Sequence, residues 1–297
     1  MIHPTAIIDQ DVKLSDDVDI GAYACIEKGV SLGAGIKIQP YAHIKGNTEI
    51  GEGTSIATGA VIGESPQIIG HKNQDGKIRI GKNNVIREYV TIHTSSSPEK
   101  CTEIGDNNYL MGLSHVAHDC KIGNRVIICN GTLIAGHVHI DDQTFISGHV
   151  TVHQFVRIGR LAMIAGLSRV NQDVPPFMMV VGDSRVWGIN GVGLRRAGFS
   201  QQDIQEIKRA HQHLYRSGLS VKKALDALNQ ENSEKIQELI SFIASSQRGI
   251  CGPKKSTFLE KLFLDYPYFV RMKSDWVHSF NRYENELNQK ESPKTTQ

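Results

Sequence analysis

The sequence lacks the features that would assign it to several large classes of protein. It has no apolar run of about 18 residues, as a membrane-spanning helix requires, and it does not open with a basic and then apolar leader segment. Its 297 residues carry a formal net charge of only +2, so charge gives no argument for nucleic-acid binding. We therefore expect a cytoplasmic protein without a nucleic-acid partner.

Cysteine is scarce and follows no pattern. The five cysteines are scattered, and no two of them show the two-residue spacing of zinc-binding or redox motifs. An odd and unpatterned set of this kind is typical of free thiols in a reducing compartment. The cysteines therefore argue against a disulfide scaffold and support the expectation of a cytoplasmic protein.

What the sequence does contain is a repeat of six residues. At intervals of six from Ile2 to Val170, 27 of 29 positions are Ile, Leu or Val, and the exceptions are Gln74 and Pro98. A period of six fits neither an α-helix nor a simple strand. It fits a triangular coil of three hexads, in which the strands of successive coils stack about 4.8 Å apart. The sequence therefore predicts a mainly β protein with a parallel β-helix over residues 1–190.

Two stretches, residues 66–78 and 94–103, break this repeat without shifting its register. We expect them to project from the prism as loops, where binding groups are often found. The six-residue pattern resembles the hexapeptide-repeat superfamily, whose fold is a left-handed parallel β-helix. The handedness is implied by that resemblance alone, since the general preference for right-handed crossovers predicts the opposite.

The region after Pro175 and Pro176 changes character. Ser200 with Asp203 is typical of a helix N-terminus, and Ser220 and Ser233 precede two further helical patterns. The sequence thus predicts a C-terminal α-helical domain over residues 191–252. An aromatic-rich extension with a disordered end follows over residues 253–297. We expect this extension to pack against protein, although contact with a membrane surface is an alternative.

Four histidines are predicted to meet at one edge of the prism. Eighteen residues make one coil, so positions 18 apart stack, and this brings together His115, His118, His137 and His153. Asp119 stacks under His137. Such a cluster suits acyl transfer, because a hydroxyl that attacks a thioester must lose its proton to a base.

Within this cluster, His118 is the candidate base, Asp119 orients it, and the backbone N–H of Gly136 is a candidate donor to the oxyanion. Two alternatives remain at this point. Three histidines can hold a zinc ion with a water in the fourth position. Alternatively, the turn histidines only form hydrogen bonds with backbone groups.

Several motifs resemble the active-site signature of the UDP-N-acetylglucosamine O-acyltransferases. The stretch LSHVAHDC at residues 113–120 is the most specific of them, and the resemblance covers residues 1 to about 252 without gaps from 111 to 176. The other motifs are Gly123-Asn124-Arg125, Ala135-Gly136-His137, Val152-His153-Gln154-Phe155, Gln172-Asp173-Val174-Pro175-Pro176, Gly193-Leu194-Arg195-Arg196-Ala197-Gly198-Phe199-Ser200 and Tyr215-Arg216-Ser217-Gly218.

The resemblance implies a reaction and an assembly. In that family a homotrimer, with active sites between neighbouring prisms, transfers an acyl or 3-hydroxyacyl chain from acyl carrier protein to the 3-hydroxyl of UDP-N-acetylglucosamine, the first step of lipid A biosynthesis. The acyl group is carried on the phosphopantetheine of the carrier, and no metal or other cofactor is implied. His118 corresponds to the general base, with Asp119 beside it.

The resemblance also implies substrate-binding residues. It places Asn190 and Arg196 near the nucleotide or the prosthetic arm of the carrier, and Gly166 at the floor of the acyl groove. The residues expected to contact the acceptor and the acyl group are His115, His137, His153 and Gln154.

The first loop departs from the family pattern. The family carries an Asp and a Lys in this loop, where the present sequence has Ile68 and Gly70. This departure leaves a different acceptor, such as a 3-amino sugar nucleotide, as an alternative. The same fold would also suit a γ-type carbonic anhydrase, a catalytically silent binding platform or a sister N-acyltransferase.

Overall fold

A computed structural model describes residues 1–72, 76–231 and 233–254 of the chain. It confirms a left-handed parallel β-helix followed by α-helices. Three sheets, parallel except for one antiparallel strand pair at the C-terminal end of the third, form the faces of the prism. The first sheet contains Ile7–Ile8, Cys25–Ile26, His43–Ile44, Val61–Glu64, Thr91–His93, His115–Val116, Leu133–Ile134, Thr151–Val152 and Arg169–Val170.

The other two faces are built in the same way. The second sheet contains Ser31–Leu32, Asn47–Ile50, Lys77–Ile80, Thr102–Ile104, Lys121–Ile122, His139–Ile140 and Arg157–Ile158. The third sheet contains Asp19–Ile20, Lys37–Ile38, Ser55–Ile56, Val85–Ile86, Tyr109–Leu110, Ile127–Ile128, Phe145–Ile146, Met163–Ile164, Met178–Val181, Arg185–Ile189 and Gly252–Pro253.

The six-residue repeat determines both the core and the register. In most hexads the aliphatic residue lies in a short strand and points inward, and Val116, Ile134 and Ile146, for example, are fully buried. Val116 pairs with Ile134, and the same spacing of 18 recurs from coil to coil. Burial of a continuous aliphatic column supplies the main stabilisation of the fold.

The two interruptions are insertions of unequal length. Strand partners differ by 30 positions across the first insertion, as for Ile50 and Ile80, and by 24 across the second. The strands reach further than predicted, because Val61–Glu64 and Lys77–Ile80 flank the first insertion and Thr91–His93 and Thr102–Ile104 flank the second. Ile68 continues the six-residue spacing but lies in the first loop, as expected for residues 66–78, and is 40% exposed.

A β-hairpin and four helices follow the last coil. Met178–Val181 and Arg185–Ile189 pair in antiparallel fashion. The helices are α1 Gly191–Arg196, α2 Gln201–Tyr215, α3 Val221–Leu228 and α4 Glu234–Ala244. Helix α1 lies at the start of the α-helical domain predicted over residues 191–252, although no signal in the sequence indicated a separate helix there.

The helix N-termini differ in how they are capped. Ser200 and Asp203 form a reciprocal capping box, as the sequence predicted. Ser220 caps α3 through the N–H of Lys223, whereas Ser233 makes no capping hydrogen bond and donates instead to Glu206. Helix α4 therefore depends on its packing rather than on a cap.

Residues Met1–Pro253 form one compact unit. After α4 the chain returns to the β-helix, where Gly252 pairs with Arg185 and Ile250 with Asp173. Among the helices in the described ranges, none has the length and apolar character needed to cross a membrane. The predicted extension over residues 253–297 lies almost entirely outside the described residues.

Candidate active site

The histidine edge is the turn between the first and second sheets together with the strand ends that approach it. We define it by His93, His115, His118, Asp119 and His137. Asp119 and His137 occupy left-handed backbone conformations, with φ values of 60° and 61°. Asp and His tolerate this region better than most residues. Their side chains project from stacked turns, because residues 18 positions apart lie above one another.

His118 and Asp119 form a close hydrogen-bonded pair. Nδ1 of His118 lies 2.7 Å from Oδ2 of Asp119, and the Asp119 side chain is only 3% exposed. Burial raises the pKa of the Asp119 carboxyl, but hydrogen bonds from His118 and Ser96 outweigh burial and hold that pKa below its usual value. Asp119 is therefore ionised at neutral pH and orients the imidazole through Nδ1.

The second loop supports the Asp119 carboxylate. The backbone N–H of Ser96 donates to Oδ1 of Asp119 at 3.1 Å, and the N–H of Asp119 donates to Oγ1 of Thr102 at 2.8 Å. The loop is folded around Ser95, whose hydroxyl accepts from the N–H of Lys77 and is fully buried. The prediction that residues 94–103 contribute to a site is consistent with these contacts.

Gly136 gives the His118 ring its space. A Cβ atom at Gly136 would lie 2.5 Å from Cε1 and 2.6 Å from Nε2 of His118. Only a residue without a side chain therefore leaves this ring in place. The second ring nitrogen, Nε2, lies on the side of the ring that approaches Gly136.

His137 extends the cluster by one coil. Its Nε2 lies 3.5 Å from Oδ2 of Asp119, its ring meets the His118 ring edge to face at 5.0 Å, and it stacks on Phe155 at 4.5 Å. Burial lowers the pKa of His137, although the charge of Asp119 opposes this effect. The ring is held from both sides and presents an edge to the turn.

His93 and His115 form a second pair, and the sequence reasoning missed His93. Their rings meet edge to face at 5.0 Å, Nδ1 of His93 lies 2.6 Å from the carbonyl of Ser65, and Nδ1 of His115 lies 2.7 Å from Oγ1 of Thr91. Burial, together with the charges that His93 and His118 would carry, lowers the pKa of His115 to about 4. His93 lies directly before the second loop, and this position in the sequence was the signal that could have identified it as a site residue.

His153 and Gln154 lie at the start of the next turn and are exposed. Nδ1 of His153 lies 3.1 Å from the carbonyl oxygen of Gln154 and 3.3 Å from Nη2 of Arg248. Arg248 comes from the segment after α4, which sequence spacing alone does not relate to the prism. Arg248 thus connects the segment after α4 to this end of the site.

The remaining candidates lie elsewhere. Gly166 lies at the opposite edge of the first sheet, in the turn that leads to Arg169–Val170. Asn190 is the N-cap of α1, where Oδ1 accepts from Gly193 and Nδ2 donates to the carbonyl of Leu161. Arg196 lies in the last turn of α1. The side chain of Asn190 is therefore already used in holding α1 on the last coil.

One group of side chains in the described ranges has the spacing of a metal site. Ligand atoms of His118, Asp119 and His137 all lie within 4.8 Å of one another. A zinc ion with three protein ligands and an open position would fit such a group. The Asp119 carboxylate, however, is already bonded by His118 and by the N–H of Ser96. These hydrogen bonds suit a base and its orienting carboxylate.

Comparison with known proteins gives matches along most of the chain. A family model described as UDP-N-acetylglucosamine O-acyltransferase, domain 2, matches residues 173–251. The model of bacterial transferase hexapeptide repeats matches residues 29–64 and 101–136. An acyl-(acyl-carrier-protein)–UDP-N-acetylglucosamine O-acyltransferase of Janthinobacterium sp. is 43% identical over 258 residues, which cover 84% of this chain and 98% of that protein.

Solved structures agree with the sequence matches. The UDP-N-acetylglucosamine acyltransferase of Francisella novicida superposes with a TM-score of 0.83 at 36% identity, covering 86% of this chain and 95% of that one. The corresponding protein of Bacteroides fragilis superposes with a TM-score of 0.81 at 39% identity, covering 84% and 99%. The similarity thus extends over both the prism and the helices that follow it.

Proposed function

The chain belongs to the family of UDP-N-acetylglucosamine O-acyltransferases that use acyl carrier protein, and from this premise we propose that it catalyses the first step of lipid A biosynthesis. An acyl or 3-hydroxyacyl chain moves from the thioester of acyl carrier protein to the 3-hydroxyl of UDP-N-acetylglucosamine. The observation that carries the proposal is the 2.7 Å hydrogen bond between His118 and Asp119. Both residues belong to the histidine edge, which lies in the part of the chain that matches this family.

In the proposed mechanism, His118 is the general base. Because Nδ1 faces the Asp119 carboxylate, the proton of the neutral ring belongs on Nδ1, which leaves the lone pair on Nε2. Nε2 removes the proton from the sugar hydroxyl while the hydroxyl oxygen bonds to the thioester carbonyl carbon. The ionised Asp119 stabilises the imidazolium that forms, as the lowered pKa of its carboxyl supports.

The second half of the reaction returns this proton. The tetrahedral intermediate carries an oxyanion, for which the backbone N–H of Gly136 is our proposed donor. When the intermediate collapses, the carbon–sulfur bond breaks, and His118 gives its proton to the departing phosphopantetheine thiolate. The proton of the hydroxyl thus ends on the thiol, so the step balances without a metal or another cofactor.

We further propose a homotrimer with active sites between neighbouring chains. Large apolar side chains on and beside the first sheet support an interface there, because Leu133 is 48% exposed, Phe155 50% and Leu167 82%. Exposed apolar surface of this kind is typical of an association surface. A closed cyclic assembly buries it and also encloses the exposed end of the histidine edge near His153.

The partners and location complete the proposal. Acyl carrier protein is the proposed donor protein, and the excess of 17 Lys and Arg over 12 Asp and Glu in residues 191–297 supports an acidic partner there. A cytoplasmic location is supported by the five cysteines, all of which are described and free.

One observation favours a second acceptor. In the first loop Ile68 is 40% exposed and stands where the family pattern has an Asp, and Gly70, which has no side chain, stands where that pattern has a Lys. A sugar nucleotide with an amino group at position 3 is the alternative acceptor. It would receive the acyl chain on nitrogen through the same base.

Product analysis tests the proposal. The full chain is incubated with acyl carrier proteins of several chain lengths and with each nucleotide sugar, and products are identified by mass spectrometry. We expect an acylated UDP-N-acetylglucosamine and free carrier thiol in equal amounts. Thioester hydrolysis without acylated sugar, or no turnover with any pair, would contradict the proposal.

A further inference from the structure

His153 has two neighbours that make opposite demands on one ring nitrogen. Its Nδ1 lies 3.1 Å from the carbonyl oxygen of Gln154 and 3.3 Å from Nη2 of Arg248. The carbonyl only accepts, so a bond with it requires a proton on Nδ1. The guanidinium only donates, so a bond with it requires the lone pair. The neutral ring satisfies one of these partners and not the other.

Of the two partners, the Arg248 guanidinium forms the stronger hydrogen bond with Nδ1 of His153. Arginine stays charged at all physiological pH values, and hydrogen bonds from a charged donor are stronger than those between neutral groups. A proton on Nδ1 would point at this cation. The Arg248 side chain is also anchored, because its Nη2 and Nε donate to the carbonyl of Asn171 at 3.2 and 3.4 Å.

Asp173 fixes the chain on both sides of Arg248, through its side chain before Arg248 and through its backbone after it. Asp173 is 1% exposed, and its Oδ2 accepts from the hydroxyl of Ser246 at 2.8 Å. Its backbone N–H donates to the carbonyl of Gly249 at 3.0 Å, and its carbonyl accepts from Cys251 at 2.8 Å. Arg248 therefore reaches His153 from a segment that is bonded to the last coil before and after it.

We propose that Arg248 is a positioning residue that holds His153 in the neutral tautomer with the proton on Nε2. In this state Nδ1 accepts from Arg248, and Nε2–H is a donor directed away from the guanidinium at the exposed end of the histidine edge. His153 then donates a hydrogen bond to a substrate oxygen. The identity of that substrate rests on the proposed function, whereas the tautomer itself does not.

Nuclear magnetic resonance of the full chain tests the tautomer without substrate. Protein labelled with nitrogen-15 in histidine is measured at a pH where the ring is neutral, and the His153 signals are assigned with His153→Gln. We expect the proton on Nε2 in the wild type and on Nδ1 in Arg248→Met. A wild-type ring protonated on Nδ1, or a tautomer that Arg248→Met leaves unchanged, overturns the proposal.

Kinetics with the nucleotide sugar separate positioning from a merely structural role. Loss of one substrate hydrogen bond should lower kcat/KM in Arg248→Met roughly three- to tenfold, and Arg248→Lys, which keeps a charged donor, should restore part of the loss together with the tautomer. Arg79→Met is the matched control, because Arg79 forms an exposed ion pair with Glu49 on the second sheet.

The outcomes distinguish this inference from the proposed function. A wild type without acyl transfer refutes the function but leaves the tautomer measurable. Lost activity in Arg248→Met with the wild-type tautomer refutes the positioning role. If Arg248→Met does not fold, the wild-type tautomer and the response of Arg248→Lys still decide, since a proton on Nδ1 in either protein contradicts the proposal.

Discussion

His118 and Asp119 are neighbours in the chain and also hydrogen-bonding partners, with Nδ1 of His118 2.7 Å from Oδ2 of Asp119. Adjacent side chains meet here because Asp119 adopts a left-handed conformation, with φ of 60°, at the corner of the prism. The turn therefore creates the pair, while the second loop and Gly136 determine its surroundings.

The first prediction concerns the base. We expect His118→Ala to fold normally, because this side chain lies at the edge rather than in the aliphatic core. Turnover should fall by roughly 10²–10⁴-fold, as is typical when a general base is lost. Steady-state kcat is the measurement. His43→Ala is the control, since His43 lies on the first sheet and also pairs with a carboxylate, that of Glu27. A loss of only a few-fold in His118→Ala would exclude this role.

Gly136 gives the second prediction. The Cβ atom of Gly136→Ala would lie 2.5 Å from Cε1 of His118, so the imidazole must move. Displacement of a catalytic group by about 1 Å can cost on the order of 10²-fold in rate, and we expect kcat to fall with little change in thermal stability. Gly188→Ala is the control, because a Cβ there meets nothing within 4 Å. Wild-type kcat in Gly136→Ala would show that the ring position does not limit the reaction.

The third prediction concerns acyl chain length. A Cβ atom at Gly166 would lie 3.4 Å from the carbonyl of Gly148 and from Oγ of Ser147, so a side chain fits there with small shifts. We expect the wild type to accept a long acyl chain and Gly166→Met to prefer shorter ones. Competition between acyl carrier proteins of different chain lengths measures this preference. Unchanged selectivity would place the end of the groove elsewhere.

Assembly is the fourth prediction. The apolar side chains of Leu133, Phe155 and Leu167 are exposed in the single chain, and a three-fold assembly would bury them. Sedimentation equilibrium should give about three times the chain mass of 32.8 kDa. Leu133→Asp should weaken the assembly and lower activity together. Full activity in a monomer would contradict a site shared between chains.

Much of this architecture could be predicted from the sequence because a β-helix is periodic. Most hexads contribute one buried aliphatic residue, so the positions of Val116 and Ile134 and their pairing follow from counting. Ile68 matches the six-residue spacing from Ile2 but lies in the first loop, as the break in the repeat over residues 66–78 predicted. Periodicity identifies spacing, but it does not show which residues lie inside the prism.

The site was predictable only where it shares this period. His118, Gly136 and His137 stack at intervals that the sequence shows directly. His93 escaped because the second insertion changes the spacing from 18 to 24 at that coil. Arg248 was not predicted because its position depends on the return of the chain after α4. Tertiary packing of this kind leaves no periodic signal in the sequence.

The last prediction concerns the acceptor. Ile68 and Gly70 stand where the family pattern has an Asp and a Lys, and neither side chain can form a hydrogen bond. A site that lacks such partners discriminates weakly between acceptors. We therefore expect weaker binding of UDP-N-acetylglucosamine than in relatives with the charged pair, or a preference for its 3-amino analogue. Steady-state kinetics with both nucleotide sugars measures the preference.

Restoring the pair tests the cause. Ile68→Asp combined with Gly70→Lys should lower KM for UDP-N-acetylglucosamine. Gly70 has a φ of 76°, so a side chain there costs roughly 1 kcal/mol of backbone strain, and Ile68→Asp alone is needed as a variant without this strain. Ile69→Asp is the matched control, because it adds the same charge at the adjacent, fully exposed position. If the wild type already binds UDP-N-acetylglucosamine tightly and the first two variants behave like Ile69→Asp, other residues recognise the sugar nucleotide and the departure at this loop has no effect on the acceptor.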